Sequence, residues 1–325
     1  MKHPSTAASP PPVSNTGVET RSGPVGRPEI GFGWFQGTGS KVAPDRLLLW
    51  LADRLGVVKV QDHGREWYRR SATVGDLKAY VAWDPVSSSS PASEVYVVIP
   101  QKALDALGWD GQKALLRGLR SLGFKPSRLD VYFDDLARIV DPTGVHDALE
   151  RGDKTSHLRD WGQASKHLDG GYTTYIGSRT SPTFIRSYRK WAESGDPSQG
   201  VRWEGEFKGD RAPLVLDLML GSTAPAVVFW SLIRQAIDFC DRTGHVNGSE
   251  APLLAWWLAL IGSADRAVLA GERAVDSLAR RFTWLTRQAA PSLALVFHAY
   301  GSACISDLIA AGYPRAPAEL LRASD

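Results

Sequence analysis

Runs of β-branched and aromatic residues alternate with polar ones at residues 78–83, 94–100, 129–134, 172–176, 184–188 and 201–208, and each run predicts a strand. Between them, apolar residues recur at helical spacing over 44–55, 101–107, 111–122 and 144–151. After residue 216 the strand signals stop, and Ala, Leu, Trp and Arg recur at helical intervals through 224–243, 250–261, 264–289, 291–299 and 302–311. The fold class this predicts is α+β: an antiparallel sheet with flanking helices over residues 29–216, followed by an all-helical C-terminal domain over 217–325. Residues 1–28 hold six of the 20 prolines, show neither period, and read as a disordered tail. No repeat of fixed period is visible.

The phase of the alternation brings chemistry onto one side of the sheet. In the run from Leu129, the residues Asp130, Tyr132 and Asp134 share a face. In the run from Val201, Arg202, Glu204, Glu206 and Lys208 share a face, and in the run from Phe184, Arg186 and Tyr188 do. Any one of these strands reads simply as half of a solvated sheet. If the three are neighbours, Asp130, Asp134, Glu204, Glu206, Arg186 and Tyr188 converge. Clustered carboxylates repel one another unless a cation intervenes, and hard oxygen donors suit Mg²⁺ or Mn²⁺. A tyrosine beside such a cation and an arginine can attack a phosphodiester as a phenolate.

Composition narrows the alternatives. The 38 Lys and Arg against 35 Asp and Glu give a net charge of +3, which excludes a general polycation and leaves room for a local basic site. Two cysteines exclude a disulfide framework and a thiolate metal site, and fit a reducing compartment. No P-loop, HExxH, CxxC or GxSxG motif is present, and the seven histidines are scattered. The segment GFGWFQGTG at 31–39 follows a proline-rich stretch instead of a strand, so it reads as a glycine-rich strand or turn, not a phosphate loop. The most apolar stretch, 252–261, is well short of the roughly 20 residues of a membrane span. With no secretory signal visible, the expected location is the cytoplasm of a bacterial host, with no membrane partner.

Three ordered motifs carry a resemblance: SRLDVYFDD at 127–135, GYTTYIGSRTSPTFIRSYRK at 171–190 and RWEGEFK at 202–208. Together they resemble the Rep_trans family of rolling-circle replication initiation factors, found on plasmids and filamentous phages, with related relaxases in conjugative elements. The resemblance implies a nicking domain over 29–216 that cuts one strand of origin DNA and rejoins it through a 5′-phosphotyrosine. It places the nucleophile at Tyr188 with Lys190 as its companion, Arg128 and Asp130 in an Arg-x-Asp motif, a second acid at Asp134 or Asp135, and Glu204 from the last strand. Glu206 is the weaker ligand for the Mg²⁺ or Mn²⁺ ion, and Arg186 or Lys190 offsets charge on the scissile phosphate. Arg128, Arg179, Arg202 and Lys208 are the implied DNA contacts. The implied partners are single-stranded or cruciform origin DNA, host helicase and polymerase, with a homodimer as one assembly. The competing readings are a non-catalytic origin-binding protein or repressor, a relaxase of an integrative element, and an interaction module whose 12 tryptophans form core. For 217–325 the expectation is assembly or origin specificity, with Arg273, Arg280, Arg281 and Arg287 spaced along a helix.

Overall fold

The computed structural model describes residues 29–166, 170–244, 250–267 and 285–312. The proline-rich tail and Arg273, Arg280 and Arg281 lie outside the described residues. A ten-stranded sheet dominates. In chain order its strands are β1 (Ile30–Gly39), β2 (Val58–Val60), β3 (Tyr68–Val74), β4 (Ala79–Pro85), β5 (Val95–Pro100), β6 (Lys125–Asp135), β8 (Trp161–Lys166), β9 (Gly171–Ile176), β10 (Thr183–Arg189) and β11 (Val201–Lys208). The short strands β7 (Lys154–Ser156) and β12 (Ile237–Phe239) pair separately. The large sheet runs β2-β3-β4-β5-β1-β6-β11-β10-β9-β8, and every neighbouring pair is antiparallel.

That order repeats itself. From each edge inward, a four-stranded meander (β2 to β5, or β8 to β11) leads to a central strand, β1 or β6, that precedes it in sequence. Each central strand is followed by a helix, α1 (Pro44–Leu55) or α4 (Pro142–Arg151). Each meander is followed by a helical pair, α2 (Gln101–Asp105) with α3 (Gly108–Ser121), or α6 (Arg211–Gly221) with α7 (Pro225–Ala236). The repetition extends to detail at the seam. Phe35 pairs with Leu129, and a bulge sits two residues before each of them, at Gly33 on β1 and at Ser127 on β6. The seam is therefore two-fold symmetric about the Phe35–Leu129 pair, a repeat of topology that leaves no periodic trace in the sequence.

One face of the sheet carries the core. Phe32, Phe35, Leu129, Val131, Ile185, Trp203 and Phe207 are fully buried and belong to one cluster with Leu47 and Leu51 of α1, Leu115 and Leu119 of α3, and Val215 and Leu216 of α6. Local chemistry sets the element ends. Helix α4 begins at Pro142 behind Asp141, whose carboxylate accepts the Thr143 N–H at 3.0 Å, and ends at Gly152 with φ +77°. Asp141 also accepts from Nε and Nη2 of Arg189 at 2.8 and 2.9 Å, so the cap of α4 anchors the end of β10.

Position 216, expected as a boundary, lies inside α6, and the chain beyond it continues onto the same core. It is not wholly helical, because β12 interrupts it. Trp203 of β11 meets Trp230 of α7 and Trp257 of α8 (Ala255–Ile261) with ring centroids 5.6 and 5.8 Å apart. The buried carboxylate of Asp238 accepts from Arg234 at 2.9 Å, Trp257 at 2.8 Å and Arg266 at 2.8 Å. A final helix, α9 (Ala290–Gly312), breaks at Gly301 (φ +76°), where the sequence pattern also divides it. Its mean hydropathy of 1.5 and its 23 residues make it long and apolar enough, by length and composition, to cross a membrane, and it is exposed. Trp257→Ala removes a fully buried indole and a donor to Asp238 together. It should cost about 3–5 kcal/mol, read as a lower midpoint in denaturant by circular dichroism; an unchanged midpoint would show that α8 adds nothing to the core.

Candidate functional site

The open face of the second half of the sheet holds the charged cluster. Strands β6, β11 and β10 are neighbours, with Asp130 opposite Glu206, Tyr132 and Arg186 both opposite Glu204, and Asp134 and Tyr188 both opposite Arg202. The expected convergence is present, but its charges are already paired. The Arg128 guanidinium donates to both oxygens of Asp130, at 2.8 and 2.6 Å, and lies 2.8 Å from Glu206. Lys208 pairs with Glu206. Arg186 pairs with Glu204 and lies 3.8 Å from Asp130. The repulsion among Asp130, Glu204 and Glu206 is thus relieved by three basic side chains. Among the described residues, no group of three or more His, Cys, Asp or Glu is disposed to hold a metal ion.

Two of the expected ligands sit elsewhere. Asp134 is buried and receives Arg202 through two 2.6 Å hydrogen bonds, and the Arg202 guanidinium also lies 3.6 Å from the centre of the Tyr132 ring. A fully buried arginine committed to a buried carboxylate reaches no DNA, so both Arg202 and Asp134 are structural here. Asp135 points to the other side, where it accepts the Ile139 N–H at 2.7 Å and tethers the turn after β6. Lys190 is the first residue of α5 (Lys190–Ser194); its ammonium meets Glu193 at 2.6 Å and lies 5.8 Å from the Tyr188 ring. Arg179, in the β9–β10 turn, lies over Tyr175 and Phe184 at 5.6 and 5.3 Å, with its carbonyl accepting from Lys208.

A cavity of about 630 Å³ opens beside the cluster. Arg128, Asp130, Arg186, Tyr188 and Glu204 line it together, joined by Trp34 and Gly33 of β1 and by Tyr172 and Tyr175 of β9. The Tyr188 hydroxyl donates to Glu204 Oε2 at 3.4 Å. Burial, reinforced by the charge of Glu204, holds that phenol well above its usual range, so it is protonated at rest. Two donors in the lining, Arg186 Nε and Trp34 Nε1, are buried with no hydrogen-bond partner among the described residues. Unpaired donors beside a cavity fit an anionic ligand. Trp34 is the site residue least visible in the sequence: only its place in a glycine-rich strand distinguished it. Gly33 lies beside it, where an added Cβ would meet Glu204 Oε1 at an ordinary contact distance of 3.4 Å.

Asp130 is pushed up to about 7 by burial and by the neighbouring Glu204 and Glu206, against the opposing pull of Arg128. A group raised in the folded state stabilises the fold at low pH, and that contribution is lost as the pH climbs through the range from about 4 to about 7. Asp130→Asn should therefore gain melting temperature over the parent protein at pH 8, with a smaller difference at pH 5. A difference that does not change with pH would refute the raised value.

The replication initiation factor family (Rep_trans) matches residues 125–309, starting at the first residue of β6 and covering more than half of the chain. NicK of Bacillus subtilis (strain 168), assigned there as a DNA relaxase, is 24% identical over 200 residues. That alignment spans 57% of this chain and 57% of NicK, so just over half of the relative is represented. A rolling circle replication initiator protein from Geobacillus stearothermophilus superposes with a TM-score of 0.61 at 20% identity, over 74% of this chain and 98% of that one. The likeness in three dimensions concerns the fold. With β6 to β11 and all of the paired charges inside the family match, the chain belongs to the replication initiation factor family.

Proposed function

We propose that the protein is a site-specific DNA nickase and religase that initiates rolling-circle replication, with Tyr188 as its nucleophile. The observation that carries this reading is the convergence of Tyr188, Arg186, Glu204 and Asp130 on one cavity with unpaired donors in its wall. Glu204 Oε2 takes the phenol proton as Tyr188 Oη attacks the scissile phosphorus. The bond from phosphorus to the 3′ oxygen breaks, and that oxygen leaves with the electron pair and takes a proton from water. The 5′ end remains joined to Tyr188. Arg186 and Arg128 offset the charge that builds on the phosphate oxygens, and Trp34 Nε1 supplies a further hydrogen bond. The phosphodiester energy is kept in the phosphotyrosine bond, so rejoining is the same step reversed. The freed 3′ hydroxyl is the primer that a polymerase extends.

Asp130 and Glu204 are the pair that would hold a Mg²⁺ or Mn²⁺ ion. An ion bound there would replace the Arg186 guanidinium that now lies between the two carboxylates. A bound ion supplies Lewis-acid charge to the scissile phosphate. The same chemistry would serve a relaxase of an integrative element. A non-catalytic origin-binding protein would have no need of a tyrosine held against a buried carboxylate.

The test is a supercoiled plasmid bearing the element's own origin, incubated with the full chain and Mg²⁺. Parent protein should yield nicked circles and a gel-stable covalent adduct. Tyr188→Phe should lose both by at least about a thousandfold while still binding DNA, and chelator should arrest the parent. Undiminished nicking by Tyr188→Phe would remove Tyr188 from the role.

A further inference from the structure

The two-fold seam assigns every position of the nicking site a counterpart in the first half of the sheet. Rotation about the Phe35–Leu129 pair takes Asp130 to Gln36, and Tyr132 to Thr38. Following the pairing registers outward takes Glu206 to Val98, Glu204 to Tyr96, Arg186 to Ala82 and Tyr188 to Asp84. All the groups assigned to the chemistry are replaced, yet the groove persists. A second cavity, of about 350 Å³, includes two of these counterpart positions, Gln36 and Tyr96, and is lined also by Thr38, Glu66, Trp67 and Tyr68. It stands on the same open face as the first, since Trp34, Gln36 and Thr38 alternate with the buried Phe35 and Gly37. Along β1, Trp34 in the first cavity and Thr38 in the second are about 13 Å apart, while Tyr188 and Tyr96 are separated by four strand spacings and roughly eight residues of register, about 30 Å in all.

The chemistry of this second groove is that of a base-binding surface. Tyr68 and Tyr96 are stacked with centroids 5.6 Å apart, and Trp67 beside them is 79% exposed. Gln36, Thr38, Ser87, Ser90 and Glu66 add an amide, hydroxyls and a carboxylate, which suit the edges of bases. A carboxylate in the lining disfavours phosphate. Cationic side chains stand outside the pocket lining, with Arg65 over the Tyr80 ring and Arg70 over the Trp83 ring. At the seam between the two cavities, Arg128 lies over the Trp34 ring at 5.3 Å, so ring faces and guanidinium continue from one groove to the other.

We propose that this groove is a non-catalytic counterpart of the nicking site that holds unpaired bases of the same DNA strand by stacking, roughly 30 Å, or about five extended nucleotides, from the scissile phosphate. The proposal rests on the nickase reading, and its test separates the two. Full-length Tyr188→Phe is titrated by fluorescence anisotropy against a fluorescein-labelled, mixed-sequence single-stranded 20-mer, with and without Trp67→Ala or Gln36→Ala. Trp67 is exposed, so its replacement leaves the fold intact. Loss of the indole should weaken binding about tenfold, within the range measured for stacking on one aromatic side chain. With 4-thiothymidine in the oligonucleotide, irradiation should cross-link peptides containing Trp67, Tyr68 or Tyr96. In the parent protein, Trp67→Ala should leave adduct formation at saturating DNA unchanged. Equal affinity with and without Trp67, together with cross-links confined to the second half of the sheet, would overturn the second groove and leave the nickase standing. Adduct formation by Tyr188→Phe would overturn the nickase while the anisotropy still decides the groove. No single-stranded DNA binding by any variant would overturn both.

Discussion

Arg202 and Asp134 face each other across β11 and β6 with almost no access to water, and the rest of the charged face is built outward from that pair. A buried carboxylate left alone costs several kcal/mol, as does a buried guanidinium, so the two hold each other in one geometry. The register this enforces aligns Glu204 with Arg186, and Glu206 with Asp130. A slip of one residue would turn every charge on β11 into the apolar core and Trp203 out of it. The site is therefore positioned by electrostatics on one face of the sheet and by tryptophan packing on the other.

The paired charges also lower the cost of gathering acids on one face of the sheet. Asp130, Glu204 and Glu206 each have a basic neighbour, and a residual misfit shows at Asp130, which burial pushes up to about 7. Residual misfit of this kind collects where a ligand is to be bound. The first half of the sheet has the same strand order without the misfit: the counterparts of Asp130, Glu204 and Glu206 are Gln36, Tyr96 and Val98. One architecture thus appears twice, once with buried charge and once without.

Much of this was legible in the sequence because strand alternation has a period of two. The phase of residues 129–134, 184–188 and 201–208 put Asp130, Arg186, Tyr188 and Glu204 on one face, and β6, β10 and β11 carry them there side by side. What alternation does not contain is register. Without knowing that Asp134 lies opposite Arg202, both read as site residues, when each exists to neutralise the other. Strand β3, with its sequence YRRSATV, gives little signal because its first residues are polar and exposed, although it lies between β2 and β4. The boundary at 216 rested on a change of period, but packing ignores it: Trp230 and Trp257 complete a core that Trp203 begins. The repetition of the sheet halves lies in hydrogen-bond topology, which composition does not record.

On the proposed role of Tyr188, the anchoring of β10 bears on what would happen to DNA attached there. Tyr188 sits on an interior strand, hydrogen-bonded on one side to β9 and on the other to β11, and the next residue is clamped by the carboxylate that caps α4. A tyrosine on a loop or a free helix could swing with its cargo; this one cannot. A 5′ end joined to it would be held stationary on a rigid plate for the life of the bond, and all the movement of unwinding and return would fall to the nucleic acid. Faithful resealing would then depend on the free end finding a fixed address.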